Sequence, residues 1–345
     1  MKRVLLATAL VVGLGAALLP AMANASAASC TETGFFRDGI NMTAAQIGGN
    51  VTGSLDAGTC NIGVYYDNTT SGNVTGATIF GANYFGVVVN GDVGSVSVNV
   101  TGSAIHDIGE SPLTGQGSQH GTAVYYRAFG GTAKGTISGD TVTNYQKNGI
   151  TINGNVSATV TNNTVTGQGP VSWIAQNGIQ LGYGAKATVT SNTVSGNAYT
   201  GANLASSGGI LVVGGECFGS GLAYTVNLTI TKNTLSGNDV GVWIFNADPT
   251  SDPNVCVPPP SSVVTNNAVK INKISNAAVT NTTGTSSTCG YQAGVSDNGK
   301  KDLIVNNTIS GLGYTPVSGD CDGTPAAFVR AIDLLSKARG VPSNK

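Results

Sequence analysis

Charge is what this chain has least of. Lys, Arg, Asp and Glu together make up 10% of its 345 residues, well below the usual quarter. The formal net charge is −1, and no basic patch is present to neutralise phosphates. Nucleic acid is therefore not an expected partner. Histidine occurs twice, as His106 and His120. No Cys-x-x-Cys and no His pair stands at ligand spacing, so no metal site is expected. Past the first twenty residues, no apolar run approaches the length of a bilayer-spanning helix.

What is abundant is glycine, 50 residues of the chain, together with Thr, Asn, Ser and Val. A surface so poor in charge must be dressed with hydroxyls and amides. The N-terminus is read apart from the fold. A basic Met1-Lys2-Arg3 precedes an apolar stretch from Val4 to Leu19, and Ala23-Asn24-Ala25 fits the small-x-small cleavage pattern of a secretory signal peptide. The expectation is a signal peptide over 1–25, with Ala27 as the alternative cut. The product would be secreted and extracellular, with no membrane attachment after cleavage. Ala27-Ala28-Ser29-Cys30 resembles a lipoprotein box but lacks the aliphatic residue before the small pair. Cys30, Cys60, Cys217, Cys256, Cys289 and Cys321 follow. An even number in an exported chain reads as a disulfide framework. Pairing is open from sequence; neighbours (30 with 60, 217 with 256, 289 with 321) are the simplest scheme.

An internal repeat organises the rest. It reads VTNNTVTG around Asn163, VTSNTVSG around Asn192, ITKNTLSG around Asn233 and IVNNTISG near Asn307. Weaker copies are VTGATIFG at Ala77, VTGSAIHD at Ser103, ISGDTVTN at Asp140 and VTNNAVKI at Asn267. Aligned, they give two aliphatic columns. The first holds Val74, Val100, Ile137, Val160, Val189, Ile230, Val264 and Ile304. The second holds Ile79, Ile105, Val142, Val165, Val194, Leu235, Val269 and Ile309. Each copy is expected to be two short strands with a left-handed bend at the Asn. A third strand follows each copy with the signature Gly or Ala then aliphatics, as in GITIN at Gly149 and GIQLG at Gly178.

Three short strands per unit, stacked at strand spacing, define an all-β solenoid: a right-handed parallel β-helix. Asparagines would stack along the bends as an amide ladder. A β-sandwich has no reason to repeat one bend, a leucine-rich repeat needs Leu columns, and a calcium-binding β-roll needs GGxGxD runs. A jelly roll is the remaining rival. The expected organisation is an N-terminal cap over 26–72, coils over 73–310, and a C-terminal cap with a short α-helix over 311–345. Phe35, Phe36, Ile40 and Ile47 would seal the first coil, and Phe328, Ile332 and Leu335 the last.

QNGIQLGYGAKATVTSNTVSGN and ISGDTVTNYQKNGITING resemble the repeats of secreted actinobacterial right-handed parallel β-helix proteins, pectate-lyase-like in the broad sense. The resemblance spans roughly 73–310 and is specific for fold. It implies an extracellular role, often directed at polysaccharide. It does not supply an activity. Of the polygalacturonase motifs, only Gln119-His120-Gly121 makes a partial match. The dense acidic calcium site of pectate lyases is missing, and Asp320 and Asp322 form a lone pair. No cofactor is expected; calcium is conceivable but not indicated. Oligomeric state is not readable.

Because charges are few, clusters carry information. His106, Asp107, Glu110, His120, Arg127 and Lys147 fall on two adjacent coils and form the candidate catalytic patch. In a lyase, His120 or Lys147 would take the proton beside a uronate carboxylate, and Arg127 would steady the enolate. In a hydrolase, Asp107 and Glu110 would be the carboxylate pair. Ordinary solvated ion pairs are the bland alternative. Strand alternation points Val124 and Tyr126 inward, Tyr125 and Arg127 outward. Tyr125, Asn153, Gln180, Tyr183, Trp243 and Phe245 are the candidate substrate-binding residues, suited to sugar rings. Alternatively, the loops 214–224 and 246–262, tied by Cys217 and Cys256, fold over the aromatics as a satellite core. The function expected is binding or degradation of an extracellular polysaccharide, lyase-like more than hydrolase-like; non-catalytic binding or surface display is the alternative.

Overall fold

Aliphatic side chains at matching positions in successive coils stack into continuous columns, and these columns are the core. A computed structural model of the chain describes residues 28–110, 120–201, 205–251, 256–260, 262–275, 293–311 and 315–318. One large sheet, parallel apart from its N-terminal hairpin, winds through the whole of it. On the third strand of each coil, Val64, Val87, Val124, Ile150, Ile179, Ile210, Val242 and Val295 pair in that order. All of them are fully buried. Each such side chain contributes about 1.5–3 kcal/mol relative to exposure. Tyrosines that enter the core find partners: Tyr126 donates to Val98 O at 2.9 Å and Tyr145 to Asn197 Oδ1 at 2.6 Å.

The amide ladder runs as expected, and its bonds set the coil spacing. Asn163 Nδ2 donates to Asn192 Oδ1 at 2.9 Å, Asn192 Nδ2 to Asn233 Oδ1 at 3.0 Å, and Asn233 Nδ2 to Asn272 Oδ1 at 3.0 Å. Asn272 Nδ2 then donates to Asn307 Oδ1 at 2.9 Å. Two details differ from the sequence reading. The left-handed residue is the one before each ladder Asn: Asn162, Ser191, Lys232, Ile271 and Asn306 all have φ near +60°. The ladder Asn itself turns its amide into the core.

The second difference is one of register. Val269 pairs with Ile230 and Ile304, so it belongs to the first aliphatic column, and Ile274 pairs with Leu235 and Ile309 in the second. Val264 lies outside the columns and is 42% exposed. The ladder residue of this coil is Asn272, not Asn267. Asn267 serves a separate corner, where its Oδ1 accepts the Leu228 N–H at 3.0 Å. The sequence misleads here because Ile271 fills a left-handed position that glycine or a polar residue fills in the other coils.

At the N-terminus, Thr31–Arg37 and Ile40–Ile47 form an antiparallel hairpin. Parallel pairing starts at once, with Ala44 opposite Ile62, so coil strands run through much of the segment read as cap. Of the four apolar residues assigned to sealing it, only Phe35 is buried. Phe36, Ile40 and Ile47 are 65%, 43% and 39% exposed, because the hairpin lies along the side of the stack and shows them to solvent. Cys30 bonds Cys60 and Cys217 bonds Cys256, as neighbour pairing required. Cys289, Cys321, the Asp320/Asp322 pair, the signal segment and the C-terminal helix lie outside the described residues.

Candidate functional site

The outward face of the third sheet changes character along the stack. One row of paired positions reads Tyr65, Val88, Tyr125, Thr151, Gln180, Leu211, Trp243 and Ser296. Polar Thr151 and Gln180 are thus flanked by aromatic and aliphatic residues. A second row holds Asn90, Arg127, Asn153, Gly182, Val213 and Phe245. The two rows meet in a cavity of about 310 Å³ over the polar stretch. Three cations line it: Arg37, Arg127 and Lys147. Asn148, Asn153, Gln180, Thr122 and Thr151 supply its amides and hydroxyls. Tyr125, Tyr183, Phe85 and Phe129 supply its rings, and none of its described lining residues is a carboxylate.

The N-terminal hairpin makes one wall. Phe35 sits 6.2 Å from Tyr65 and 6.3 Å from Phe85, ring to ring. Arg37, two residues on, is thereby brought to the groove; nothing in the repeat pattern signalled it. Tyr125 stacks on Phe85 at 5.3 Å and is only 6% exposed. It faces away from the coil interior, as alternation required, but the hairpin and neighbouring rings cover most of it.

Arg127 is fixed from several directions. Its Nη2 lies 2.6 Å from Asp92 Oδ2, and its guanidinium lies 4.9 Å from the Phe35 ring and 5.2 Å from the Phe129 ring. Such contacts hold the planar group in one orientation. Lys147 is held differently. Its Nζ donates to Ala175 O at 2.7 Å. Burial pushes its ammonium down to about 8, and no ionic contact among the described residues offsets the lost hydration. Asn148, Thr151, Gln180 and Asn153 form a short network on the floor: Asn148 Nδ2 donates to Gln180 Oε1 at 3.1 Å and Gln180 Nε2 to Asn153 Oδ1 at 3.3 Å.

The six residues of the candidate catalytic patch are divided by the fold. Arg127 and Lys147 share the groove. Asp107 and Glu110 line a second cavity. His120 is in the described lining of neither cavity; it is 5% exposed and stacked on Tyr84 at 4.0 Å. Its Nε2 lies 2.8 Å from Glu110 Oε1, close enough for an ion pair but not aligned as a hydrogen bond, and its Nδ1 lies 4.0 Å from Asp38 Oδ2. His106 pairs with Thr143 as the repeat alignment required. It stacks on Phe80 at 5.4 Å, and its Nδ1 is 2.6 Å from Asp107 Oδ2. His106 lines neither cavity.

The candidate substrate-binding residues divide as well. Tyr125, Asn153, Gln180 and Tyr183 all line the groove. Trp243 and Phe245 do not. They stack on each other at 5.4 Å, and Phe218 meets Phe245 edge-on at 5.2 Å. Trp243 is 6% exposed. It forms a satellite cluster with Leu211, Val213, Val240 and Ala293, against which Phe218 and Phe245 pack. The loop that carries Phe218 is tied down through Cys217 and Cys256, so the satellite-core alternative describes Trp243. Phe218 was not readable beforehand, since no repeat position marks it.

The parallel ladder, the stacked columns and the amide ladder together define a β-helix. Residues 38–216 match the family described as right-handed β-helix region. The match covers just over half of the chain, and the chain belongs to this family. No curated protein sequence matches it. Among solved structures it is similar to the Dettilon tailspike protein, at 13% identity and a TM-score of 0.40. That likeness covers 78% of this chain and 55% of the tailspike chain, so this chain spans little more than half the length of that one.

Proposed function

We propose that the protein binds an acidic extracellular polysaccharide, one bearing uronate carboxylates, in the groove on its third sheet. The observation that carries this reading is the lining itself: among its described residues, three cations and no carboxylate, over a floor of amides and hydroxyls. A desolvated guanidinium suits a carboxylate, and ring faces suit the apolar side of a sugar. Secretion, read from the N-terminal sequence, would give the groove access to such a polymer.

The chemistry favoured at this groove is β-elimination. Lys147, with its ammonium pushed down to about 8, would act as the base that removes the proton beside the uronate carboxylate. Arg127 would hold that carboxylate as charge develops on it, and the glycosidic oxygen would leave with a proton from water. Hydrolysis fits the groove less well, since it needs a carboxylate pair about the bond. Non-catalytic binding is the second reading. It is favoured by the fixed state of both cations, Arg127 on Asp92 and Lys147 on Ala175 O.

The test is incubation of the full chain with polygalacturonate, alginate and neutral xylan. Binding and the ultraviolet absorbance of new unsaturated ends are both followed. Expected are binding and new ends with a polyuronate and neither with xylan. Binding without new ends selects the second reading. No interaction with either polyuronate sinks the proposal.

A further inference from the structure

A second cavity, of about 370 Å³, lies beside Glu110. Asp107, Glu110, Asn144, Gln146, Gln168 and Trp173 line it, and none of its described lining residues is a cation. Its electrostatic character is therefore opposite to that of the groove. Glu110 of this lining also meets His120, at 2.8 Å.

Gln146 sets this cavity apart from an ordinary acidic surface dent. It is only 3% exposed. Its Oε1 accepts the Glu110 N–H at 2.8 Å, while its Nε2 has no acceptor. A buried amide donor without an acceptor is costly, yet the fold keeps this side chain in the cavity wall. Glycines 109 and 121 leave the space it occupies, and a Cβ on either would lie within 2.6 Å of the Gln146 Cβ. Trp173 is half-buried and is the one aromatic side chain among the described lining residues. Asp107 is held rigidly: its Oδ1 accepts from Asn144 and its Oδ2 lies 2.6 Å from His106 Nδ1. Two carboxylates and the amide oxygens accept from hydroxyls, amide N–H groups donate to them, and one indole face covers C–H groups. That is the chemistry of a polyhydroxylated ring without charge.

We propose that this cavity is a second carbohydrate site, which takes a neutral sugar unit. An anionic unit is repelled by Asp107 and Glu110 and belongs in the groove. The two sites thus sort sugar units by charge. This site does not depend on the groove reading, and it stands or falls separately.

The experiment is calorimetric titration of the full chain with xylotetraose, mannotetraose and cellotetraose, and separately with trigalacturonate. At least one neutral tetrasaccharide is expected to bind. Trp173→Ala should weaken that binding about tenfold, Trp173→Phe should largely retain it, and Arg127→Ala should leave it unchanged. An unchanged melting temperature shows that Trp173→Ala is folded; if it is not, Gln168→Ala serves as the second variant with the same expectation. The proposal is overturned if no neutral tetrasaccharide binds. It is equally overturned if that binding is lost in Arg127→Ala and kept in Trp173→Ala and Gln168→Ala. Trigalacturonate binding reports on the groove alone.

Discussion

Ser103 donates its backbone N–H to Asp140 Oδ1 at 2.7 Å, across one coil boundary. Asp140 stands at a ladder position that asparagine occupies in the coils after it. Its second oxygen has no hydrogen-bond partner. Burial pushes its carboxyl up to about 6, although the Ser103 and Ser138 N–H groups pull it down. Asp239 is similar: burial pushes it up to about 7, against hydrogen bonds from Ser207 and Tyr199.

Both carboxyls hold their protons in the fold at pH values where the unfolded chain has lost them. The fold then binds more protons than the unfolded chain, so stability falls as pH rises from the ordinary value of 3.8. The fall is complete near pH 6 for Asp140 and near pH 7 for Asp239. For Asp140 the loss is roughly 3 kcal/mol. Asp140→Asn is expected to raise the melting temperature at pH 7 and to lose that advantage at pH 4. Its amide would also gain a carbonyl, as Asn163 Nδ2 does from Ile137 O at 3.0 Å. Thermal denaturation at the two pH values measures this, and equal shifts at both would contradict it.

Asn192 is the clearest structural test of the ladder. Its Oδ1 accepts both the backbone N–H and the Nδ2 of Asn163, at 3.0 and 2.9 Å, and its Nδ2 donates to Val160 O at 3.0 Å. Asn192→Ala removes the acceptor of the buried Asn163 N–H and one of the two acceptors of Asn163 Nδ2. A loss of about 2–4 kcal/mol is expected, read as a lower urea midpoint. A change under about 0.5 kcal/mol, the range of ordinary surface substitutions, would mean that the ladder bonds contribute little.

Lys147 links binding to pH. With its ammonium pushed down to about 8, it loses its charge as pH rises through that value. Affinity for polygalacturonate should fall over the same interval, and more so at low salt, where charge pairing is strongest. Elimination, if Lys147 is its base, should speed up over the interval in which affinity falls. Lys147→Met removes both trends. Titrations and initial rates from pH 6 to 10 give the comparison, and a flat affinity profile in the unsubstituted chain would exclude Lys147 from the site.

The Cys217–Cys256 bond fixes the turn that sets Phe218 against Phe245. Replacing both cysteines with serine should cost about 3 kcal/mol. Trp243, buried beside Phe245, should become more exposed to water, seen as a red shift of its fluorescence. A shift absent in this variant would show that Phe218 packs without the bond.

The coils were legible because stacking forces each interior position to be aliphatic, so Ile150, Ile179 and Ile210 declare their column. Register failed at Val264–Asn267, where a corner unrelated to the ladder happens to spell the same Asn-Asn motif. The groove was half legible. Gln180 and Asn153 follow from alternation within a strand, and Arg127 from its pairing register. Arg37 arrives on a hairpin that folds back across the coils, and Trp173 and Phe218 arrive on loops, where no period applies. Those positions depend on long-range packing, which a repeat pattern does not encode. The division of Asp107 and Glu110 from Arg127 has the same origin: coil corners separate residues that are close in sequence.

The amide ladder also governs how this molecule can change in length. Each ladder asparagine bonds no farther than the coil before it and the coil after it. A whole coil can therefore be duplicated or deleted at an Asn–Asn joint without disturbing more distant coils. Loss of one or two residues inside a coil would instead shift the columns out of register. Growth is allowed in whole steps of about 4.8 Å, and insertions of other sizes must be looped out at the corners, where the loops that carry Trp173 and Phe218 already stand.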